Sequence, residues 1–189
     1  MRKLFWIAAL LLFASAAAAE DGLFNGQTLY WENDNFGIGK KSDRFYTNGV
    51  KVTWLLTDTP SWALTFRRSF CKTGLCGGNQ NFEGVNVLLG HNFWTPEHIT
   101  VATPQPNDRP WAGWFYTGVS ESIVDNKEKI LNSFEVQVGI LGQGAGAGAV
   151  QRFIHNDLGF SDNDPKGWPN QLENRPTLGV MYRRRCRAR

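Results

Sequence analysis

Apolar and polar residues alternate with period two in short runs along most of this chain, the pattern of β-strands with two unlike faces. Gln27 to Asp34 is the first such run. In Thr47 to Thr57, Val50, Val52, Trp54 and Leu56 share one face, and Lys51, Thr53 and Thr57 share the other. Trp62, Leu64 and Phe66 alternate with Ala63, Thr65 and Arg67. With Gly84 to Phe93, Trp111 to Glu121, Leu131 to Gly142 and Thr177 to Arg184, the pattern predicts seven strands. A tilted strand needs roughly 9–11 residues to cross a membrane, and these runs are about that long. Trp31, Tyr46, Trp94, Trp111 and Tyr182 stand near strand ends, where an interfacial aromatic girdle would place them. A soluble barrel or sandwich with one buried face alternates in the same way, so periodicity leaves both open.

Two segments break the pattern. Arg2 and Lys3 precede the apolar run Leu4 to Phe13, and Ala17-Ala18-Ala19 stands before Glu20. This is the form of a secretory signal peptide over residues 1–19, with the mature domain at 20–189. The apolar run is too short for a bilayer core of ~30 Å, and no later segment offers a membrane helix. Further on, Gln143 to Ala149 is a Gly/Ala-rich linker, and Val150 to Leu158 is predicted to form a short helix. Val150, Phe153, Ile154 and Leu158 make its apolar stripe, while Gln151 and His155, four apart, project from one side.

Composition narrows the classes. The 189 residues are 42% hydrophobic and 20% charged, which excludes whole-chain disorder. Twenty Gly, eight Trp and thirteen Phe suit β architecture with many turns and aromatic anchors. Removing Arg2, Lys3 and the five arginines of the last seven residues from the net +3 leaves −4, so the charge makes no case for nucleic acid. Export permits disulfides, and Cys71 and Cys76 flank a plausible turn; two free thiols are the alternative. Cys186 would remain unpaired, and no nearby Cys/His pair completes a zinc site.

Candidate chemistry is sparse. His91 lies late in a strand and His98 in a loop beside Glu97, both as surface or girdle residues. His155 stands out because polar groups share its helix face, although a lone helical His is more often structural. Asn33-Asp34 ends the first strand, and both residue types also favour plain turns. Ser120 and Ser133 lie in strands, and without a Gly-x-Ser-x-Gly elbow a serine nucleophile is disfavoured. Asp108-Arg109 reads as a structural ion pair before it reads as a phosphate contact.

Taken together the motifs point further. Glu32-Asn33-Asp34, Tyr46-Thr47-Asn48-Gly49, Asn107 to Trp114, Gln151 to His155, and Gly167-Trp168-Pro169-Asn170-Gln171-Leu172-Glu173-Asn174 occur in one order. That order resembles the outer-membrane lipid A 3-O-deacylase family over nearly the whole mature chain. The resemblance implies an all-β, antiparallel up-and-down outer-membrane β-barrel of twelve strands, with the active site between the wall and a loop helix. It implies an enzyme, a hydrolase that removes the ester-linked 3-position acyl chain of lipid A in lipopolysaccharide at the cell outer membrane. By motif match, Asn33, Asp34, Thr47, Gln151 and His155 fall on active-site positions. His155 is implied as general base and Ca²⁺ as the oxyanion stabiliser, with Asp34 and Asn33 as metal ligands.

Seven strand candidates fall short of the family's twelve, and the Arg-rich end is a poor membrane strand, so a C-terminally truncated barrel with the catalytic residues but no closed scaffold is expected. Its activity and oligomeric state are left open. A non-enzymatic outer-membrane or periplasmic β-protein is the alternative reading.

Overall fold

The computed structural model describes residues 22–33, 45–74, 76, 80–125, 127, 129–157 and 164–186. The expected signal segment and Asp34 lie outside the described residues. Six strands form one antiparallel sheet in chain order: β1 (Phe24–Asn33), β2 (Phe45–Leu56), β3 (Gln80–Thr95), β4 (Ala112–Asp125), β5 (Ile130–Leu141) and β6 (Arg175–Cys186). Each strand pairs with the next in sequence, and among the described residues β1 and β6 do not pair, so the sheet is open. This is the up-and-down antiparallel order that the family resemblance implies. No helix among the described residues is long and apolar enough to cross a membrane.

The pairing register separates the two faces. Tyr30, Lys51, Gly90, Tyr116, Gly139 and Thr177 stand opposite one another across all six strands and therefore share a face. This face is polar and curved. Lys51 Nζ reaches Glu135 at 2.6 and 2.7 Å, although β3 and β4 lie between their strands. Gln137 also donates to Glu135, and Trp114 Nε1 donates to Thr177 at 2.8 Å. Thr28, Tyr30, Lys51, Asn86 and Glu135 line a concave space of about 590 Å³. The opposite face carries Leu29, Trp31, Phe115, Val136, Val138, Leu178 and Val180, all exposed, the last two at 72% and 74%. An exposed apolar band on one face and polar groups in the concavity form the alternation of a wall between lipid and lumen.

One predicted strand is a helix. Trp62 to Arg67 belongs to α1 (Ser61–Cys71), so there are six strands among the described residues rather than seven. Six alternating residues cannot separate period two from period 3.6 here, because Trp62, Phe66 and Phe70 also recur every fourth position. Thr65 Oγ1 donates to the Ser61 carbonyl within the helix, and Phe66 stacks near Phe70 at 6.3 Å. Phe70 then meets Phe134 edge-on at 4.2 Å, bringing α1 onto the apolar face of β5. Cys71 and Cys76 are joined at the end of α1, and Cys186 is free and exposed.

The helical excursion lies at the opposite end of the sheet and starts earlier than predicted. A 3₁₀ turn (Gln143–Ala145) leads into α2 (Ala147–Arg152), and a π-helical turn (Phe153–Asp157) follows. The Gly/Ala-rich segment is therefore a helix start rather than a linker. Small residues let it lie directly on the strands: a Cβ built at Gly113 of β4 would stand 2.6 Å from the Ala147 Cβ. The polar pair of the helical segment is turned inward and part of its apolar stripe outward. Val150 and Phe153 are exposed at 37% and 41%, whereas Gln151 and His155 are buried at 1% and 6%.

Candidate active site

The apolar packing that seats α2 is a small aromatic core. Phe93 of β3, Ile99, Trp111, Ala147 and Trp168 are buried together. Trp168 lies 4.9 Å from Trp111 and 6.2 Å from Phe93, ring centre to ring centre, both edge-on. Burying each large side chain is worth about 1.5–3 kcal/mol, enough to hold a two-turn helix that could not persist alone. Trp111, expected in an interfacial girdle, is instead 3% exposed in this core. The loop bearing Trp168 is held at both ends, because Lys166 N donates to the Ile99 carbonyl and Leu172 N to the Trp111 carbonyl, each at 2.9 Å.

Thr47 sits at an irregularity. In β2, Tyr46 pairs with Trp94 and Asn48 with Phe93, which leaves Thr47 as the extra residue of a bulge. Bulges re-aim side chains and are frequent beside active sites. Thr47 is buried at 2%, and its hydroxyl shares a 2.8 Å hydrogen bond with that of Thr95, which is fully buried. Asn48 accepts a hydrogen bond from Trp31 Nε1 at 3.0 Å and pairs in the sheet with Asn33. Asn33 and Thr47 are thus brought to the same end of neighbouring strands. The Asn33 side chain and all of Asp34 lie outside the described part, so their expected roles have no geometry here.

Gln151 reaches that end of the sheet from α2. Phe93 is the link: it opposes Asn48 across the β2–β3 pairing and packs on Trp168. Trp168 Nε1 donates to Gln151 Oε1 at 2.8 Å in a fully buried contact. Gln151 Nε2 is buried and has no partner among the described residues. His155 lies in the π-helical turn, a local widening often found at functional sites.

A hard cation is matched in kind by the oxygens that Asn33, Asp34 and Thr47 carry. Gln151 stands outside that donor set, because its oxygen already accepts from Trp168 and the group left over is an amine-type donor. Among the described residues no three His, Cys, Asp or Glu side chains gather as a metal group.

The remaining candidates take structural places. His91 is half-buried on the apolar face, between Phe93 and Phe115 at 5.9 and 6.1 Å. His98 is exposed, and its carbonyl accepts from Gln105. Asp108 spends its carboxylate on the backbone N–H groups of Glu97 and Arg109, at 2.9 and 2.7 Å, as loop scaffolding. Ser122 and Ser133 bond one another across the β4–β5 pair. Thr95, Trp111 and Trp168 carry the site's packing without having been singled out for it. The motif Gly167-Trp168-Pro169-Asn170 was the available signal for Trp168, since a Trp between Gly and Pro in a loop needs something to cover it.

A family model described as outer membrane protein LpxR matches residues 4–189, nearly the whole chain. No curated protein and no solved structure matches.

Proposed function

From the premise that this chain belongs to the family of outer membrane protein LpxR, we propose that it is a lipid A deacylase, exported by its N-terminal signal segment and working at the outer membrane. The reaction is hydrolysis of the ester that joins an acyl chain to the 3 position of lipid A. The observation that carries this reading is the inverted helical segment: Gln151 and His155 are buried while Val150 and Phe153 are exposed. A helix placed only for packing would bury the second pair and expose the first.

In this reading His155 is the general base. An imidazole can accept a proton near neutral pH, so it takes one from a water as that water attacks the acyl carbonyl carbon. As the ester C–O bond breaks, the imidazolium returns the proton to the departing sugar oxygen. The products are a fatty acid and a free 3-hydroxyl, and no further reactant is needed. Gln151 orients the substrate or the water, and Asp34 holds the imidazole or the cation. Asn33, Asp34 and Thr47 are the residues that would hold Ca²⁺. When bound there, the ion would offset negative charge on the acyl oxygen.

The test is release of fatty acid from purified lipopolysaccharide by the full chain in detergent. His155→Ala should lower the rate by about 10²- to 10⁴-fold, the usual contribution of a general base. Chelation with EDTA should abolish release, and added CaCl₂ should restore it. No release by the unmodified chain, or an undiminished rate in His155→Ala, would overturn the assignment. Insensitivity to EDTA would remove calcium alone.

A further inference from the structure

The deacylase reading leaves open what decides the direction in which the Gln151 carboxamide points. An amide side chain can present either its oxygen or its NH₂ to a substrate, and the two are of nearly equal shape. Here one neighbour breaks the tie. Trp168 Nε1 is a donor only, and it lies 2.8 Å from Gln151 Oε1. The oxygen is therefore turned toward the indole. Because the amide is planar, the NH₂ is turned away from it, and that nitrogen is buried without a partner among the described residues. A buried, unsatisfied donor is costly in a folded protein and calls for a reason.

The indole that fixes this orientation is itself fixed. Trp168 is 2% exposed and wedged between Trp111 and Phe93. Its ring lies against Gly148, three residues before Gln151 and so on the same side of α2. A Cβ at Gly148 would stand 2.8 Å from Trp168 Cγ, so the close approach depends on the missing side chain. The next residues form a 3₁₀ turn (Trp168–Asn170), and Asn170 Nδ2 anchors that turn to the Ala102 carbonyl at 2.6 Å.

Resting on the deacylase reading, we infer that Trp168 is a positioning residue of the reaction. It holds the Gln151 carboxamide with its NH₂ toward the acyl carbonyl oxygen, so that a donor and not an acceptor meets the charge that develops there. Trp168 does not touch the reacting atoms and acts through Gln151. Without the indole N–H, the amide turns freely between a donating and a repelling orientation, and only a fraction of the molecules is competent at any moment.

The experiment is a double-mutant cycle on fatty-acid release by the full chain, with Trp168→Phe, Gln151→Ala and both together. Phe keeps an aromatic ring in the core and removes the N–H donor together with part of the indole's volume. Trp168→Phe should lower kcat by about two- to tenfold, the scale of one buried neutral hydrogen bond, with KM unchanged. In the Gln151→Ala background the same change should have no further effect on kcat, because the group it acts through is gone. A loss in kcat that multiplies in that background, or a change confined to KM, would overturn the inference. A second readout does not need activity: the Trp168 indole N–H proton resonance should shift and exchange faster with solvent in Gln151→Ala. An unmoved resonance would show that the bond is not formed. If the unmodified chain releases no fatty acid, the deacylase reading and the proposed role fail together, while the resonance still reports the bond itself.

Discussion

At the scale of residues, the site is built from contacts between positions far apart in sequence. Gln151 and Trp168 are 17 residues apart, and Thr47 and Thr95 are 48 apart. Residue type and local spacing identify Gln151 and His155 as a polar pair on one side of a helix, but they carry no information about which indole closes on them. Gly148 is the residue on which the arrangement turns. Gly148→Ala would push Cβ to 2.8 Å from Trp168 Cγ and move the indole off Gln151. The expected outcome is a several-fold fall in kcat in the same direction as Trp168→Phe, measured by fatty-acid release. Helix propensity alone would favour Ala by ~1 kcal/mol, so a more active or unaltered Gly148→Ala protein would show that the indole has room to spare.

At the scale of elements, strands and helices were not equally legible. The six strands are ten residues or longer, and their alternating runs of eight or more stand out. Trp62 to Arg67 is too short for that, and α1 is decided by contacts its local sequence does not encode, those of Phe66 and Phe70 with Phe134. The Cys71–Cys76 bridge closes a short loop at the C-terminal end of this helix. Reducing it should cost about 2 kcal/mol of stability, as loop-closure entropy gives for so few residues. Urea unfolding of the protein in phospholipid vesicles, with and without reductant, measures this; equal midpoints would mean that α1 packing alone holds the loop. In α2 the existence of a helix and its polar pair were legible, but the outward placement of Val150 and Phe153 was not. Amphipathic patterning states that a helix has two sides and leaves to the surroundings which of them faces water, lipid or protein.

At the scale of the whole molecule, the two faces of the sheet make opposite demands. Val138 is 51% exposed on the apolar face, while Lys51 and Glu135 pair across the polar concavity. If the apolar face meets lipid, Val138→Arg should destabilise the folded protein in vesicles by about 2–4 kcal/mol, the cost of an arginine facing the middle of a bilayer. Urea titration in vesicles measures this as a shift in midpoint. A neutral outcome would mean that this face meets water or another protein surface. The pairing pattern itself, each strand beside its neighbours in sequence, holds although only β4 and β5 are joined by a tight connection, from Asp125 to Ile130.

The sequence by itself determined the alternation, and with it an antiparallel β-sheet with one apolar and one polar face. Its ordered motifs also identified the family, and the spacing of Gln151 and His155 marked out the helix that carries them. These are local properties, set by which residue follows which at the period of a strand or a helix turn. The tertiary structure decided the rest: the bulge that isolates Thr47, the conversion of one alternating run into α1, the burial of the polar side of α2, and the indole that orients Gln151. Each depends on side chains that meet only after distant segments pack, so its energy belongs to pairs of positions that no local window contains.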